Sequence, residues 1–293
     1  MLSILIPTYN YNIFDLVCEL KKQCDSLRID YEIICQDDNS DATLNYENNR
    51  INTLEHCNFS SNLVNFGRAK NRNSLAQKAT FPYLLFLDAD TFPIHKNFIS
   101  TYVSAINDSS KIVYGGIRYQ NEKPPKQKIL RWIYGKSREA LSVSQRNKNK
   151  YLSFLTLNFL IHKDVFAFVS FNETIPNLRH EDTLFSYEVM KNNIPIQHIE
   201  NPVFHYGLDE FAVAIKKEQE SLMALKNLLE KELLPPDYVK ISKVYFTIKK
   251  IRMKWLVANV FKMSQSLLLN NISSANPSLF LFDVYRIGYL CTL

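Results

Sequence analysis

Three acidic groupings have the residue types and spacing to do chemistry. Asp88-Ala89-Asp90 follows an apolar run at residues 83–87. Two carboxylates at a strand end suit an oxygen-loving cation such as Mg2+ or Mn2+, which keeps open positions for diphosphate oxygens. A strand running through the triplet would point both side chains the same way; the alternative is a turn or helix cap before Thr91-Phe92-Pro93. Asp37-Asp38 ends a second apolar run. A carboxylate there can accept hydrogen bonds from a base N–H or a ribose hydroxyl, or close an Asx turn ahead of a helix after Asp41. Glu181-Asp182 opens a helical stretch. A carboxylate at a helix N-terminus stays ionised, which suits a general base, and it equally complements the helix dipole. Arg68, Lys70 and Arg72 follow Gly67 and can compensate a diphosphate or form a solvated face. His205, in Pro202-Val203-Phe204-His205-Tyr206, can be a third metal ligand or a structural histidine.

These groupings need elements to hold them. Residues 2–6, 31–35 and 83–87 are short apolar runs that read as buried strands. Asn12 can cap a helix to about residue 26, with Phe14, Val17 and Leu20 on one face. A weaker strand lies near 53–59, a helix at 67–79, another near 96–106, and a strand at 112–117. Strands alternating with helices indicate a largely parallel sheet. Such sheets bind ligands at the carboxyl ends of their strands. Here those ends carry Pro7-Thr8-Tyr9-Asn10, Asp37-Asp38 and Asp88-Ala89-Asp90.

Residues 121–150 are polar and basic, with a helix expected at 129–140. A buried segment at 154–161, a helix from 177–182 to about 192, and short strands at 195–199 and 202–206 follow. The character changes near residue 209. A helix at 211–231 is broken by Pro235-Pro236, and a more basic helix is expected at 238–269.

With 46% hydrophobic residues the chain can form a sizeable core. The net charge of +6 suits an anionic partner, a nucleotide or lipid headgroup, or a solubilising surface. Cys18, Cys24, Cys35, Cys57 and Cys291 are scattered without a CxxC. That argues against a disulfide framework or thiolate zinc site and favours a reducing compartment. The N-terminal apolar run lacks the basic flank and length of a signal peptide. No uncharged apolar stretch reaches the ~18 residues of a membrane span. No glycine precedes Gly67, which argues against a nucleotidyltransferase with a glycine-rich phosphate loop. The absence of GxGxxG argues against a dinucleotide-binding oxidoreductase.

In order and spacing, Ser3-Ile4-Leu5-Ile6-Pro7-Thr8-Tyr9-Asn10, Asp37-Asp38-Asn39-Ser40-Asp41, Gly67-Arg68-Ala69-Lys70-Asn71-Arg72-Asn73, Phe86-Leu87-Asp88-Ala89-Asp90, Phe171-Asn172-Glu173 and Glu181-Asp182 resemble family 2 glycosyltransferases of the GT-A fold. The resemblance covers roughly residues 1–207. It implies an α/β nucleotide-diphospho-sugar transferase fold with a mainly parallel sheet and a C-terminal helical appendage. The expected division is a catalytic domain at 1–208, with a nucleotide-binding half (1–117) and an acceptor-binding half (118–208), and a helical region at 209–293. The implied activity is metal-dependent, inverting hexosyl transfer from a nucleoside-diphosphate sugar, UDP-linked by expectation. The acceptor would be a hydroxyl of a saccharide or lipid-linked molecule in bacterial surface polysaccharide or glycoconjugate synthesis. The alternative is an inactive member that binds sugar nucleotides or scaffolds an assembly complex.

By the same resemblance, Pro7, Thr8 and Tyr9 belong to the nucleobase pocket, with Tyr9 stacking. Asp38 would read the base, Arg72 face the nucleotide and Asp88 hold the ribose. Asp90 would ligate Mn2+ or Mg2+, and His205 would approach metal or phosphate. Asp182 looks like the acceptor base, with Glu181 beside it. Asn39 stands where the family usually has Gly, and Asn172 where it usually has Asp. The helix after Asp182 lacks a basic residue often found there; Glu188 and Lys191 flank that place. Nucleic acid is not an expected partner. The location expected is cytoplasmic, with the basic, aromatic helix after Pro236 on the inner face of the plasma membrane, or else packed on the catalytic domain or a second subunit.

Overall fold

The computed structural model describes residues 1–107, 111–175, 177 and 179–293; Leu178, within the expected start of the helix at 177–182, lies outside them. The first apolar run is β1 (Leu2–Thr8). Helix α1 (Phe14–Leu27) buries Leu16, Val17, Leu20 and Cys24. Its N-cap position is Ile13, although the Asn12 side chain still accepts the Phe14 N–H at 3.0 Å. β2 (Tyr31–Asp37) leads to α2 (Ala42–Asn49), capped by the Asp41 side chain on the Thr43 N–H. The weak strand is β3 (Cys57–Ser61), displaced along the chain because Arg50–Thr53 closes into a 3-10 turn. α3 (Arg68–Lys78), β4 (Tyr83–Leu87), β5 (Thr91–Pro93) and α4 (Phe98–Ser104) follow.

The single strand expected at 112–117 is two, β6 (Ile112–Tyr114) and β7 (Ile117–Arg118). Gly115 and Gly116 separate them, and Gly116 has φ 93°, a conformation glycine adopts without strain. The chain then forms α5 (Ile129–Arg138), α6 (Val143–Arg146), β8 (Asn158–His162), α7 (Lys163–Phe168), α8 (Glu181–Lys191), β9 (Ile196–His198) and β10 (Val203–His205).

Among the described residues seven strands make the main sheet, in the order β3-β2-β1-β4-β8-β6-β9. All neighbours run parallel except β8, which is antiparallel to both β4 and β6. From β1 the chain moves outward to β2 and β3, then returns to place β4 on the other flank of β1. That reversal is a topological switch point, where carboxyl ends open a crevice. The register aligns Thr8 with Asp37 at that edge. A second sheet, β5-β10-β7, pairs Thr91 with His205. Phenylalanines fill the core on one side of the main sheet. Phe86 stacks on Phe159 at 4.9 Å and Phe171 on Phe185 at 4.4 Å. Burial of each such ring contributes about 1.5–3 kcal/mol.

The chain divides into two units. The first comprises Met1–Arg118, Ala140–Asn177 and Glu181–Gly207; the second comprises Tyr119–Glu139, Leu178–His180 and Leu208–Leu293. The second unit holds α5 and four further helices: α9 (Phe211–Glu230), α10 (Lys240–Lys250), α11 (Lys254–Ile272) and α12 (Leu279–Thr292). The one helix expected at 238–269 is therefore α10 and α11. Arg252, at φ 58°, ends α10, with its N–H on the Lys249 carbonyl and the Met253 N–H on the Ile248 carbonyl. Those two bonds form a Schellman stop. Within this unit the Arg286 guanidinium donates to Glu218 at 2.6 Å, both half-buried.

Candidate functional site

The carboxyl edge of β1 and β2 is built by short polar side chains. Thr8 is buried and its hydroxyl donates to the Tyr11 carbonyl, while Tyr9 is 55% exposed. Pro7 is half-buried, one residue before the end of the strand. Asp37 is consumed locally: it accepts the Ser40 N–H and the Asn45 amide, each at 2.9 Å. Asp38 is also buried. Its carboxylate accepts the Phe66 N–H at 2.7 Å, the Gly67 N–H at 2.8 Å and the Asn62 amide at 2.9 Å. The Asp38 carboxylate thus clamps the loop that starts α3.

That clamp sets where α3 begins and which residues it turns inward. Gly67 has φ 83°, and a Cβ there would meet Asn177 Cγ at 2.6 Å. One turn on, Arg72 is only 5% exposed. Its Nη2 donates to Asp88 Oδ1 at 2.6 Å, and its Nη1 lies 3.5 Å from Glu181 Oε1. The guanidinium lies over the Phe171 ring, 5.5 Å from its centroid. Burial alone would lower the Arg72 pKa, but Asp88 and Glu181, with Asp182 adding, outweigh it and raise the pKa. One buried cation therefore joins the end of β4 to the start of α8. Asp182, next to Glu181 and half-buried, accepts the Thr183 N–H at 2.7 Å with one oxygen. A cleft of about 210 Å3 opens beside Glu181, lined also by Gly67, Arg68, Lys70, Glu173 and Asn177.

The acidic triplet does not continue as a strand. The Thr91 N–H bonds back to the Asp88 carbonyl at 3.1 Å, so the chain turns. The turn separates the two carboxylates: Asp88 faces Arg72, and Asp90 faces His205, with Oδ2 and Nε2 3.3 Å apart. His205 arrives on β10 opposite Thr91. The Tyr206 N–H donates to the Asp90 carbonyl at 2.8 Å. A Cβ on Gly207 would lie 2.0 Å from Asp90 Oδ2, so only glycine leaves Asp90 its place. Neighbouring ligand atoms on an octahedral Mg2+ or Mn2+ sit about 3 Å apart, given bonds of ~2.1 Å. The carboxylate–imidazole pair fits such an ion as a two-ligand set. Among the described residues no cluster of three or more His, Cys, Asp or Glu is arranged to hold a metal.

Residues 3–172 match the family described as glycosyl transferase family 2, over more than half of the chain. The chain belongs to glycosyl transferase family 2. No curated protein matches it by sequence. Among solved structures it is similar to the mannosyltransferase PcManGT from Pyrobaculum calidifontis, in complex with GDP-Man and Mn2+. The identity is 13% and the TM-score 0.62, with 99% of this chain and 84% of that chain covered. It is also similar to S. aureus TarS, at 17% identity and TM-score 0.53, covering 98% of this chain and 54% of that one. A 1–349 fragment of TarS in complex with UDP-GlcNAc gives 18% identity and TM-score 0.51, covering 98% and 90%. Likeness at these identities is a likeness of fold, the GT-A arrangement of glycosyltransferases.

As a family 2 glycosyltransferase the chain has two departures with a local physical account. Asn39 takes φ 65°, left-handed backbone that Asn tolerates better than other residues with a Cβ. Asn172 accepts the Thr174 N–H at 2.8 Å, an Asx turn that Asp also makes. Glu173 is held by the Asn73 amide at 2.8 Å, so this stretch anchors α3. Gly207 and Tyr11 stand outside the residues expected at the site. Burial, then the charges of Asp90 and Tyr206, raise the Tyr11 pKa. Gly207 carried a signal, since the chain has only six glycines and this one follows His205-Tyr206.

Proposed function

We propose that this glycosyltransferase moves a hexosyl group, with inversion, from a nucleoside-diphosphate sugar to a hydroxyl of a saccharide or lipid-linked acceptor, and that the catalytic work lies within residues 1–208. The observation that carries the proposal is the Arg72 bridge. It holds Asp88, at the switch point where a donor would bind, and Glu181, adjacent to Asp182, in one cluster in which the guanidinium is buried and the two carboxylates are half-buried. A base for the acceptor and a carboxylate for the donor thereby share a rigid support. The fold neighbours hold GDP-Man with Mn2+ in one case and UDP-GlcNAc in another, which supports a nucleoside-diphosphate sugar as donor class. UDP is the nucleotide expected here by family resemblance. Bacterial surface polysaccharide or glycoconjugate synthesis is the context that reading implies.

Pro7, Thr8 and Tyr9 would bound the nucleobase, and exposed Tyr9 offers its ring for stacking. Asp38, read from sequence as the base reader, would act first by fixing the loop before α3, its oxygens already holding three donors. Asp88, oriented by Arg72, would accept from a ribose hydroxyl. Asp182 would take the proton of the acceptor hydroxyl. The freed oxygen then bonds to the anomeric carbon from the face opposite the nucleoside diphosphate, which leaves with the bonding electron pair. A divalent ion on Asp90 and His205 would supply charge neutralisation at the diphosphate.

Titration of UDP and of GDP into the protein, with and without Mn2+, tests the donor side. UDP is expected to bind more tightly than GDP and more tightly with Mn2+, and Tyr9→Ala to weaken it about tenfold or more, as loss of a stacking ring does. Failure of both nucleotides to bind would remove the reading.

A further inference from the structure

Helix α11 is apolar on two faces. Phe261, Leu268 and Ile272 are buried in a cluster with Phe282 and Tyr285 of α12. Leu256, Val260, Met263 and Leu267 recur at i, i+4, i+7 and i+11, a single helical stripe. That stripe is in water: Met263 is 86% and Leu267 73% exposed, and Trp255 at the start of the helix is 76% exposed. A contiguous apolar surface of this kind marks a place that another apolar phase covers.

Charge identifies the phase. Every charged residue from 238 to 282 is a lysine or an arginine. Lys243, Lys249, Lys250, Arg252 and Lys262 are exposed along α10, α11 and the turn between them. A second copy of the same face would bring like charges together, which opposes association. An anionic lipid surface offers opposite charge at the headgroups and an apolar layer just beneath them. No helix among the described residues is long and apolar enough to cross a membrane, so a helix of this character would lie in the interface.

We propose that α10 and α11 form a docking surface for an anionic lipid bilayer. Leu256, Val260, Met263 and Leu267 enter the upper acyl region. Trp255 sits at the headgroup level, where indole rings collect. The lysines and arginines reach phosphate groups with their long stems laid along the apolar boundary. Docking would bring the chain to the surface where lipid-linked acceptors reside. That consequence rests on the proposed function, whereas the docking does not and is tested without any sugar nucleotide.

The full chain is sedimented with vesicles of phosphatidylcholine alone and with vesicles of phosphatidylcholine and phosphatidylglycerol in equal parts. Binding is expected to be about tenfold or more stronger to the anionic vesicles and to weaken in high salt. The triple variant Trp255→Ser, Met263→Ser, Leu267→Ser is expected to lose about tenfold or more of that binding while keeping the wild-type melting temperature. If that variant does not fold, Lys243→Gln, Lys250→Gln, Lys262→Gln reads the charge arm instead, with loss of the anionic preference expected. The proposal is overturned if the wild type ignores anionic vesicles, or if a folded variant of either kind binds them as the wild type does. A wild-type dimer in sedimentation velocity, abolished by the triple variant and without vesicle binding, would assign the face to a second copy and overturn it as well.

Discussion

Arg72 is the side chain on which the site turns. A buried guanidinium persists only where carboxylates compensate it, and breaking a buried pair is costly. Asp88 and Glu181 compensate this one. Arg72→Ala is expected to destabilise the protein by about 3 kcal/mol, because two carboxylates lose their cation; the urea midpoint reads it. Arg72→Lys keeps the charge without the planar fork, so it should recover stability better than it recovers turnover. Asp182→Asn should cost turnover alone. Loss of a general base costs about 10²–10⁴-fold in turnover, with melting temperature and nucleotide affinity left at wild-type values. Gly207→Ala is the sharpest probe of the metal corner. Its Cβ would displace Asp90 Oδ2, so it should remove the Mn2+ enhancement of nucleotide binding as Asp90→Ala does. Calorimetric titration with and without Mn2+ checks that, and an undiminished enhancement in Asp90→Ala would show that Asp90 is not a ligand.

Among the elements, buried strands were the most legible. β1, β2 and β4 are apolar runs that end in polar clusters, and the sheet puts those ends side by side. Breaks were less legible. Nothing in the side-chain pattern of 238–269 announces the turn at Arg252, because arginine is a good helix former and its left-handed backbone goes with the two main-chain hydrogen bonds that close α10. For Asp88-Ala89-Asp90 the sequence left a strand, with both carboxylates pointing one way, and a turn open; the turn that forms gives Asp88 to Arg72 and Asp90 to His205, and both partners are distant in sequence, so no local rule pairs them. His198 on β9 was likewise silent. Its Nε2–H donates to the Lys150 carbonyl at 2.9 Å, and its ring meets the Tyr114 ring edge-on at 5.5 Å. Burial pushes its pKa down to about 4. The unfolded chain binds that proton more tightly, so the stability His198 contributes is full above pH ~6.5 and falls as the pH drops toward 4. The loss amounts to at most about 3 kcal/mol, from 1.36 kcal/mol per pKa unit. Melting temperatures across that window should fall more steeply for the wild type than for His198→Gln.

At the scale of the whole chain, two units with different surfaces suit two tasks. The first carries the strand ends, the Arg72 cluster and the Asp90–His205 pair. The second carries helices whose outward chemistry is basic and apolar together. Composition hinted at the second through its lysines and aromatics, but which apolar side chains face water follows from how α11 packs on α12, and that is a property of the folded unit. The central claim is that the first unit carries out glycosyl transfer from a nucleoside-diphosphate sugar. A panel of nucleotide sugars, each incubated with Mn2+ or Mg2+ and scored for release of nucleoside diphosphate, tests it most directly. Release from a UDP-sugar that chelation abolishes, and that Asp182→Asn reduces by about 10²-fold or more, is the expected result. A wild-type protein that binds the nucleotide yet releases none from any donor, with either metal and with saccharide or lipid-linked acceptors present, would contradict it.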